Sequence, residues 1–231
     1  MAAESQLVLN LGFRTALGAE DLLVGNSNAA AVALVDAWPD WPAAAAVVVG
    51  PPRSGKTHLA HVWQLRSAAH LVDAVDLDEN RVETLAGTGA NIVIEDIDRG
   101  IGSEAALFHL LNLAREHRTS LMMTSTLPAG EIPVTLPDLR SRLRAAVMVE
   151  IAAPDNGLLA AILVKHFSDR QLAVEPQVIS YLVERMERSF AAAAAIADDI
   201  DRTALASRRR LTRTLAAEVL MRQDHARPEA R

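Results

Sequence analysis

The segment from residue 50 to residue 57 carries the residue types that hold a phosphate group. It reads GPPRSGKT and fits the pattern G-x-x-x-x-G-K-[ST]. Its glycines let backbone N–H groups approach phosphate oxygens, Lys56 can reach the outer phosphates, and the Thr57 hydroxyl can ligate Mg²⁺. A glycine-rich turn with an incidental lysine is the alternative, and the strand-like run before the segment and the helical pattern after it disfavour that alternative. The predicted phosphate-site residues are Gly50, Pro51, Arg53, Ser54, Gly55, Lys56, Thr57 and His58.

Two acidic residues follow the apolar run at residues 92–94. Glu95 and Asp96 stand at the predicted carboxyl end of a strand, beside the phosphate segment. Carboxylates in this position can hold a metal ion and orient a water molecule for phosphoryl transfer. We assign Glu95, together with Thr57, to the metal and Asp96 to the water; a solvated strand end is the alternative. Asp98 can equally cap a helix or join a salt bridge. The predicted ligand is ADP or ATP with Mg²⁺.

Short apolar runs alternate with helical patterns over the first two thirds of the chain. The predicted strands are Ala44–Val49, His70–Val72, Ile92–Ile94, Leu121–Thr124 and Ala146–Ile151, and the predicted helices between them are Gly55–Leu65, Glu79–Leu85 and Glu104–Glu116. Because strands that alternate with helices form βαβ units, we expect an α/β fold with a parallel sheet flanked by helices. Ahead of the first strand, Gly18–Gly25 is predicted to be a loop and Ser27–Ala37 a helix.

The pattern changes to helices alone after the last predicted strand. These helices are Asn156–Phe167, Glu175–Arg185, Ser189–Ala206 and Leu215–Arg222. Pro154 marks the boundary, because the residue before a proline is disfavoured in a helix. The chain is therefore divided into an N-terminal peptide and linker (1–17), an α/β nucleotide-binding domain (18–153), a small all-helical lid subdomain (154–222) and a polar tail (223–231).

Composition excludes several classes of protein. The 231 residues are 50% apolar, which supports a buried core and excludes general disorder. The chain has 23 Lys and Arg against 29 Asp and Glu, a net charge of −6, and so lacks the basic excess of an autonomous DNA-binding protein. It contains no cysteine, and His58 and His61 lack the glutamate spacing of a zinc protease. With neither a secretory signal nor a long apolar run, the predicted location is cytoplasmic.

Several segments together resemble the AAA+ family. The phosphate segment, Glu95-Asp96, the polar strand end at residues 124–126 and the PDLRSRL run at residues 137–143 occur in the order of an AAA+ module. The stretch at residues 23–28 is similar to the segment that begins the DnaA branch of that family. Within the branch, the chain resembles the Hda group of replication-initiation regulators over roughly residues 6–222. The resemblance implies an AAA+ module followed by a helical lid.

The N-terminal run from Gln6 to Leu11, with Phe13 beyond it, is similar to the peptide by which these regulators bind the sliding clamp, the beta subunit of DNA polymerase III. An extended peptide can insert apolar side chains into a groove while its glutamine amide makes polar contacts. An edge strand that packs on its own domain is the alternative. The clamp-binding residues implied by the resemblance are Gln6, Leu7, Leu9, Leu11 and Phe13.

Arg142 lies where AAA+ proteins carry an arginine that points into a neighbour's nucleotide. A planar guanidinium with a permanent charge can stabilise the negative charge on a phosphoryl group during transfer. Arg140 can share this role or contact the partner surface. For both arginines the alternative is a solvated helix face with ordinary salt bridges. The resemblance implies that Arg142 acts as an arginine finger on the ATP bound to DnaA.

The chain departs from the AAA+ pattern at two positions. Glu95 replaces the aspartate of many relatives, and Ala191 stands where the family carries the sensor arginine of the lid, one turn beyond Arg188. With alanine at this position, the resemblance implies a chain that binds nucleotide without hydrolysing it efficiently. Arg188 reaching the phosphates from a shifted helix is the alternative.

These features lead to one main functional hypothesis. The chain is expected to be a negative regulator of chromosomal replication initiation that binds the clamp and ATP-bound DnaA and stimulates hydrolysis of the DnaA-bound ATP, with weak or no ATPase activity of its own. One alternative is an autonomous AAA+ ATPase that loads or remodels a replication protein. Another is an adaptor whose nucleotide fixes the angle between its subdomains. The resident nucleotide and the formation of a homodimer stay open.

Overall fold

The computed structural model describes residues 15–16, 19–207 and 209–226. The predicted clamp-binding peptide, Gln6–Phe13, lies outside the described residues. Internal contacts divide the chain into two units. The sheet unit includes Ala16–Leu22 and Asn26–Ala153, and the helical unit includes Leu23–Gly25 and the chain from Pro154 onward. Within the described ranges, every helix is too short or too polar to cross a membrane.

The chain up to residue 150 alternates strands with helices. These elements are β1 (Thr15–Ala16), β2 (Ala19–Leu23), α1 (Ala29–Asp36), β3 (Ala45–Val49), α2 (Lys56–Ser67), β4 (His70–Asp73), α3 (Glu79–Thr88), β5 (Ile92–Glu95), α4 (Glu104–His117), β6 (Leu121–Ser125), α5 (Pro137–Ala145) and β7 (Val147–Glu150). Strands β1 and β2 pair with each other, and the other five form one sheet in the order β4-β5-β6-β3-β7. All neighbours in this sheet are parallel, which confirms the predicted α/β class.

The register of the sheet brings the ends of the strands together. Val49, the last residue of β3, lies opposite Ser125 of β6 and Glu150 of β7. Glu95, the last residue of β5, lies opposite Asp73 of β4. Because parallel strands end at the same edge of a sheet, the segment after β3 lies at the same edge as Glu95 and Asp96 at the end of β5.

Apolar side chains cover both faces of this sheet. Val47, Ile94 and Met123 from its central strands are fully buried, and so are Leu107 of α4 and Leu139 of α5, which pack in the same core. A strand with helices on both faces has no solvent side. This explains why the central strands β3, β5 and β6 are buried along their whole length rather than at alternate residues.

Helix α2, which follows the phosphate segment, is fixed by a cluster of tryptophans. Trp63 is fully buried, Trp41 stacks on it with ring centroids 5.0 Å apart, and Trp38 meets it edge-on at 6.3 Å. Aromatic pairs at these separations add to the stabilisation from their buried area. The helix that begins at Lys56 therefore starts from a fixed position.

The helical unit packs around its own apolar core. Its helices are α6 (Asn156–Asp169), α7 (Pro176–Arg185), α8 (Phe190–Ser207) and α9 (Arg213–Ala226). Leu163, Phe167 and Leu182 are fully buried in this core. Helix α9 continues past residue 223, the predicted start of the polar tail, and the Gln223 amide donates a hydrogen bond to Asp199 at 2.6 Å.

One early expectation is wrong in part. Residues 19–23, predicted to belong to a loop, form strand β2 and pair with β1. The sequence AEDLL contains poor strand formers, because acidic residues and alanine are depleted in strands. Pairing with β1 supplies hydrogen bonds that local propensity does not predict.

Candidate functional site

The phosphate segment forms a tight loop between β3 and α2. The Gly50 N–H donates to the Ser125 carbonyl at 3.1 Å, and the Ser54 N–H donates to the Pro51 carbonyl at 3.2 Å. A Cβ on Gly50 would lie 2.8 Å from Ser54 Oγ and 3.0 Å from Ile151 Cβ, so this position has room for glycine alone. Gly55 has a φ of +93°, a conformation that glycine adopts without strain.

Lys56 folds back over this loop. Its side chain is buried, with 7% exposure, and Nζ donates to the Gly50 carbonyl at 2.8 Å and to the Pro51 carbonyl at 3.1 Å. Burial lowers the pKa of Lys56, although the carboxylates of Asp96 and Asp98 act in the opposite direction. The ammonium group is therefore held among loop carbonyls, where a phosphate would be a better partner because it carries charge.

Glu95 is the buried acid at the end of β5. Its residue exposure is 8%, and burial raises the pKa of its carboxyl although the Thr57 hydroxyl donates a hydrogen bond to it. Glu95 Oε1 and Ser54 Oγ are buried without a hydrogen-bond partner among the described residues. Buried polar atoms of this kind call for a ligand, water or ion.

A hydroxyl and a carboxylate in contact fit Mg²⁺, which takes oxygen ligands and completes its shell with water and phosphate. Thr57 and Glu95 would hold the ion, and the phosphate loop, which includes Ser54, would hold the phosphates. The residues present therefore fit both groups of the predicted ligand.

Asp96 lies directly after Glu95 in an unusual backbone conformation. Its φ is +56°, its N–H donates to Thr124 Oγ1 at 2.9 Å, and its Oδ2 lies 3.1 Å from Arg99 Nη1. Asp98 binds the N–H of Thr126 at 2.9 Å and also its hydroxyl, so it ties β5 to β6 rather than capping a helix. Burial alone would raise the pKa of Asp98, but these hydrogen bonds outweigh it and hold the pKa below its ordinary value.

The loop and the acids enclose an open cavity of about 320 Å³. Its lining residues are Pro52, Arg53, Ser54, Gly55, Lys56, Thr57, Asp96 and Arg99. The predicted residues Gly50, Pro51, His58 and Glu95 are not among the residues that line it. Two lining residues, Pro52 and Arg99, are absent from the predicted set. Pro52 lies within the phosphate segment, whereas Arg99, three residues after Asp96, belongs to no recognised pattern.

Comparisons with known proteins agree with this geometry. Residues 156–220 match the family model for the lid domain of Hda. The DnaA replication initiator of Caldanaerobacter subterraneus is 28% identical over 194 residues, which are 73% of this chain and 43% of that protein. Over most of its length the chain is similar to DnaA proteins, and its helical unit is similar to the Hda lid. The chain spans about two fifths of the length of the curated DnaA proteins that it matches.

Solved structures of DnaA share the fold of this chain. Domain III of Thermotoga maritima DnaA superimposes with a TM-score of 0.73 at 15% identity, covering 89% of this chain and 95% of that one. A DnaA bound to AMPPCP and single-stranded DNA superimposes with a TM-score of 0.63 at 19% identity, covering 83% and 65%. These likenesses confirm the AAA+ architecture of the sheet unit and the helical lid.

Helix α5 contains Arg142, the residue predicted to be an arginine finger. Leu139 and Leu143 are fully buried on one side of this helix, and Arg142 is half-buried. In the part of the chain that the structure describes, the Arg142 side chain makes no hydrogen bond or ion pair. Arg140, by contrast, donates to the Val134 carbonyl, so its guanidinium is occupied within its own unit.

The loop before α5 is held by an acid that sequence reasoning did not select. Glu104, in the first turn of α4, accepts hydrogen bonds from the Thr135 N–H at 2.8 Å, the Thr135 hydroxyl at 3.0 Å and the Leu136 N–H at 2.7 Å. Bonds from Thr135 hold the pKa of Glu104 below its ordinary value. The start of α5, and with it Arg142, is fixed by this contact.

The lid contains the position assigned to the sensor arginine. Ala191 lies in the first turn of α8, where Ser189 Oγ accepts a hydrogen bond from the Ala192 N–H at 3.0 Å. Arg188 is exposed in the segment that joins α7 to α8. The helix therefore begins without an arginine in its first turn.

Replacing Glu95 with glutamine is expected to raise the melting temperature by about 2–4 °C at pH 7 in Mg²⁺-free buffer. Because burial raises the pKa of Glu95, the carboxyl of Glu95 binds a proton more tightly in the folded chain than in the unfolded chain. The ionised carboxyl therefore lowers stability at pH 7, and the loss is recovered as the pH falls through the folded pKa. Thermal unfolding at pH 7 and near pH 4.5 measures this difference.

The control for that measurement is Glu116→Gln, which changes an exposed glutamate on α4 and should leave the melting temperature unchanged. A lower melting temperature for Glu95→Gln at pH 7 would contradict the prediction. It would mean that the hydrogen bond from Thr57 outweighs the effect of burial.

Proposed function

We propose that this chain is a negative regulator of chromosomal replication initiation that acts on ATP-bound DnaA. In this proposal the chain binds the sliding clamp and stimulates hydrolysis of the ATP held by DnaA. Arg142 carries the proposal: it is an unpaired guanidinium, among the described residues, on a helix anchored by Leu139 and Leu143. The match of its lid to Hda supports the regulatory role, and its relation to DnaA supports pairing between the two modules.

In the proposed mechanism Arg142 supplies positive charge to a site on its partner. A guanidinium placed against the transferring phosphoryl group stabilises the charge that develops in the transition state. Buried leucines and the contact of Glu104 with Thr135 hold α5, so that the arginine needs little reorganisation when it meets the partner. The hydrolytic water and its base belong to DnaA.

The chain's own nucleotide has a structural role in this proposal. ADP or ATP would bind in the cavity, with Lys56 and the loop N–H groups on its phosphates. Mg²⁺, held by Thr57 and Glu95, would neutralise part of the phosphate charge. Ala191 in the first turn of α8 supports binding without efficient turnover, since this turn offers no guanidinium.

An autonomous AAA+ ATPase is the second candidate. It is favoured by a complete phosphate loop with Glu95 and Asp96 at the neighbouring strand end. Such a protein would hydrolyse ATP without DnaA and use it to load or remodel a replication protein.

One assay separates these functions. The rate at which DnaA-bound ATP becomes ADP is measured with this chain and with clamp loaded on DNA, omitting each in turn. Acceleration that requires both components would support the regulator. Hydrolysis by this chain alone, with no effect on DnaA, would support the autonomous ATPase instead.

Deleting residues 1–13 is expected to weaken binding to the sliding clamp by more than tenfold while leaving the fold intact. The deleted run contains the glutamine and the apolar side chains proposed to enter the clamp groove. Binding of the chain to surface-immobilised clamp gives the affinity, and circular dichroism with thermal melting checks the fold. Unchanged affinity of the truncated chain would remove this assignment.

A further inference from the structure

The turn after β5 folds an arginine back onto the water-orienting acid. Asp96 has a left-handed backbone, and its carbonyl accepts a hydrogen bond from the Arg99 N–H at 2.9 Å. This closes a turn of four residues, so the Arg99 guanidinium reaches the Asp96 carboxylate at 3.1 Å. The Asp96 carboxylate at the end of β5 is thus paired with the Arg99 guanidinium.

This cation faces the proposed nucleotide. Arg99 lines the same cavity as Arg53 and Lys56, and its charge helps to lower the pKa of Lys56, after the larger effect of burial. Arg53 and Lys56 belong to the phosphate loop, whereas Arg99 comes from the turn after β5, beside Asp96. An anion in this cavity would therefore meet positive charge from two separate segments of the chain.

The ion pair is exposed and easily exchanged. The side chains of Arg99 and Asp96 are 63% and 35% exposed, and ion pairs in such surroundings contribute little to stability. A terminal phosphate offers more negative charge than one carboxylate, and its oxygens match the planar fork of a guanidinium. When a phosphate is bound nearby, it is therefore a more favourable partner for the Arg99 guanidinium than the Asp96 carboxylate is.

We infer that Arg99 is a contact for the terminal phosphate of a nucleoside triphosphate bound to this same chain. We assigned Asp96 to orient the water that would attack this phosphate. Arg99, the ion-pair partner of Asp96, would therefore lie beside the terminal phosphate. With a diphosphate bound, Arg99 stays paired with Asp96. Arg99 thus distinguishes triphosphate from diphosphate, an inference that rests on the nucleotide binding proposed above.

The test compares two nucleotides and four proteins. Dissociation constants for ADP and for the non-hydrolysable triphosphate AMPPNP, both with Mg²⁺, are measured by calorimetry for the full chain, R99Q, R99K and R66Q. The last variant is a matched control, because Arg66 forms an exposed pair with Asp36 at 3.2 Å on the same unit. Thermal melting of each variant checks that it is folded.

For R99Q we expect AMPPNP binding to weaken by roughly tenfold and ADP binding to change by less than twofold, the loss expected for one charge-assisted contact. The affinity of R99K for AMPPNP should lie between those of R99Q and the unmodified chain, since lysine keeps the positive charge and lacks the planar guanidinium. R66Q should change neither constant.

Two results would overturn the inference. If R99Q loses affinity for ADP and AMPPNP equally, Arg99 adds only general positive charge. If R99Q loses no affinity for either nucleotide, Arg99 stays paired with Asp96. If the unmodified chain binds neither nucleotide, the proposed function itself fails, and this outcome is visible before any variant is compared.

Discussion

Replacing Arg142 with alanine is expected to reduce the stimulated hydrolysis of DnaA-bound ATP by about 10³-fold, the lower end of the effect of arginine fingers. Among the described residues its side chain makes no hydrogen bond or ion pair, whereas Leu139 and Leu143 anchor its helix from the buried side. Folding and nucleotide binding by the variant chain should therefore be unchanged. Single-turnover hydrolysis of labelled ATP on DnaA measures the rate, with clamp and DNA present throughout.

Arg144→Ala is the matched control for this experiment. Arg144 is exposed on the same helix, two residues further on, and it too has no ion pair among the described residues. We expect this variant to stimulate hydrolysis within about twofold of the unmodified chain, since exposed charges contribute weakly. Full stimulation by Arg142→Ala would instead indicate an adaptor that holds DnaA and the clamp together without supplying a catalytic group.

The fold was predictable where the signal is local and continuous. The central strands β3, β5 and β6 are largely apolar runs of four to five residues that are buried along their whole length, and burial on both faces requires such runs. The phosphate loop was predictable for a related reason: its glycines, Lys56 and Thr57 are contiguous, and one turn of backbone positions all of them. The structure brings Thr57 and Glu95 together because parallel strands end at one edge of the sheet.

Contacts between distant segments were not predictable. Glu104 reads as an ordinary acid in the first turn of a helix, and nothing in its surroundings reveals that it binds Thr135 and Leu136. Asp98 likewise reads as a cap or salt-bridge partner, yet it binds Thr126 on the neighbouring strand. Such pairings depend on the order of strands in the sheet, which a single sequence does not reveal.

Backbone conformation limits the prediction of the site in another way. The sequence identified Asp96 as an acid beside the phosphate loop, but its positive φ and its bond to Thr124 determine where the carboxylate points. The same turn brings Arg99 into the cavity. Residue types at a strand end therefore indicate which chemistry is available, while the turn after the strand decides which groups face the ligand.

Replacing Lys56 with alanine is expected to weaken ADP binding by roughly 100-fold or more, because a buried ammonium makes charge-assisted hydrogen bonds to phosphate worth about 1.5–3 kcal/mol each. The chain offers an unusually clean control, since its two lysines are Lys56 and Lys165. Lys165 lies on α6 in an exposed pair with Asp169 at 3.4 Å, and Lys165→Ala should leave the affinity unchanged. Titration with a fluorescent ADP measures both variants. If Lys56→Ala binds like the unmodified chain, the segment is a glycine-rich turn whose lysine only satisfies the carbonyls of Gly50 and Pro51.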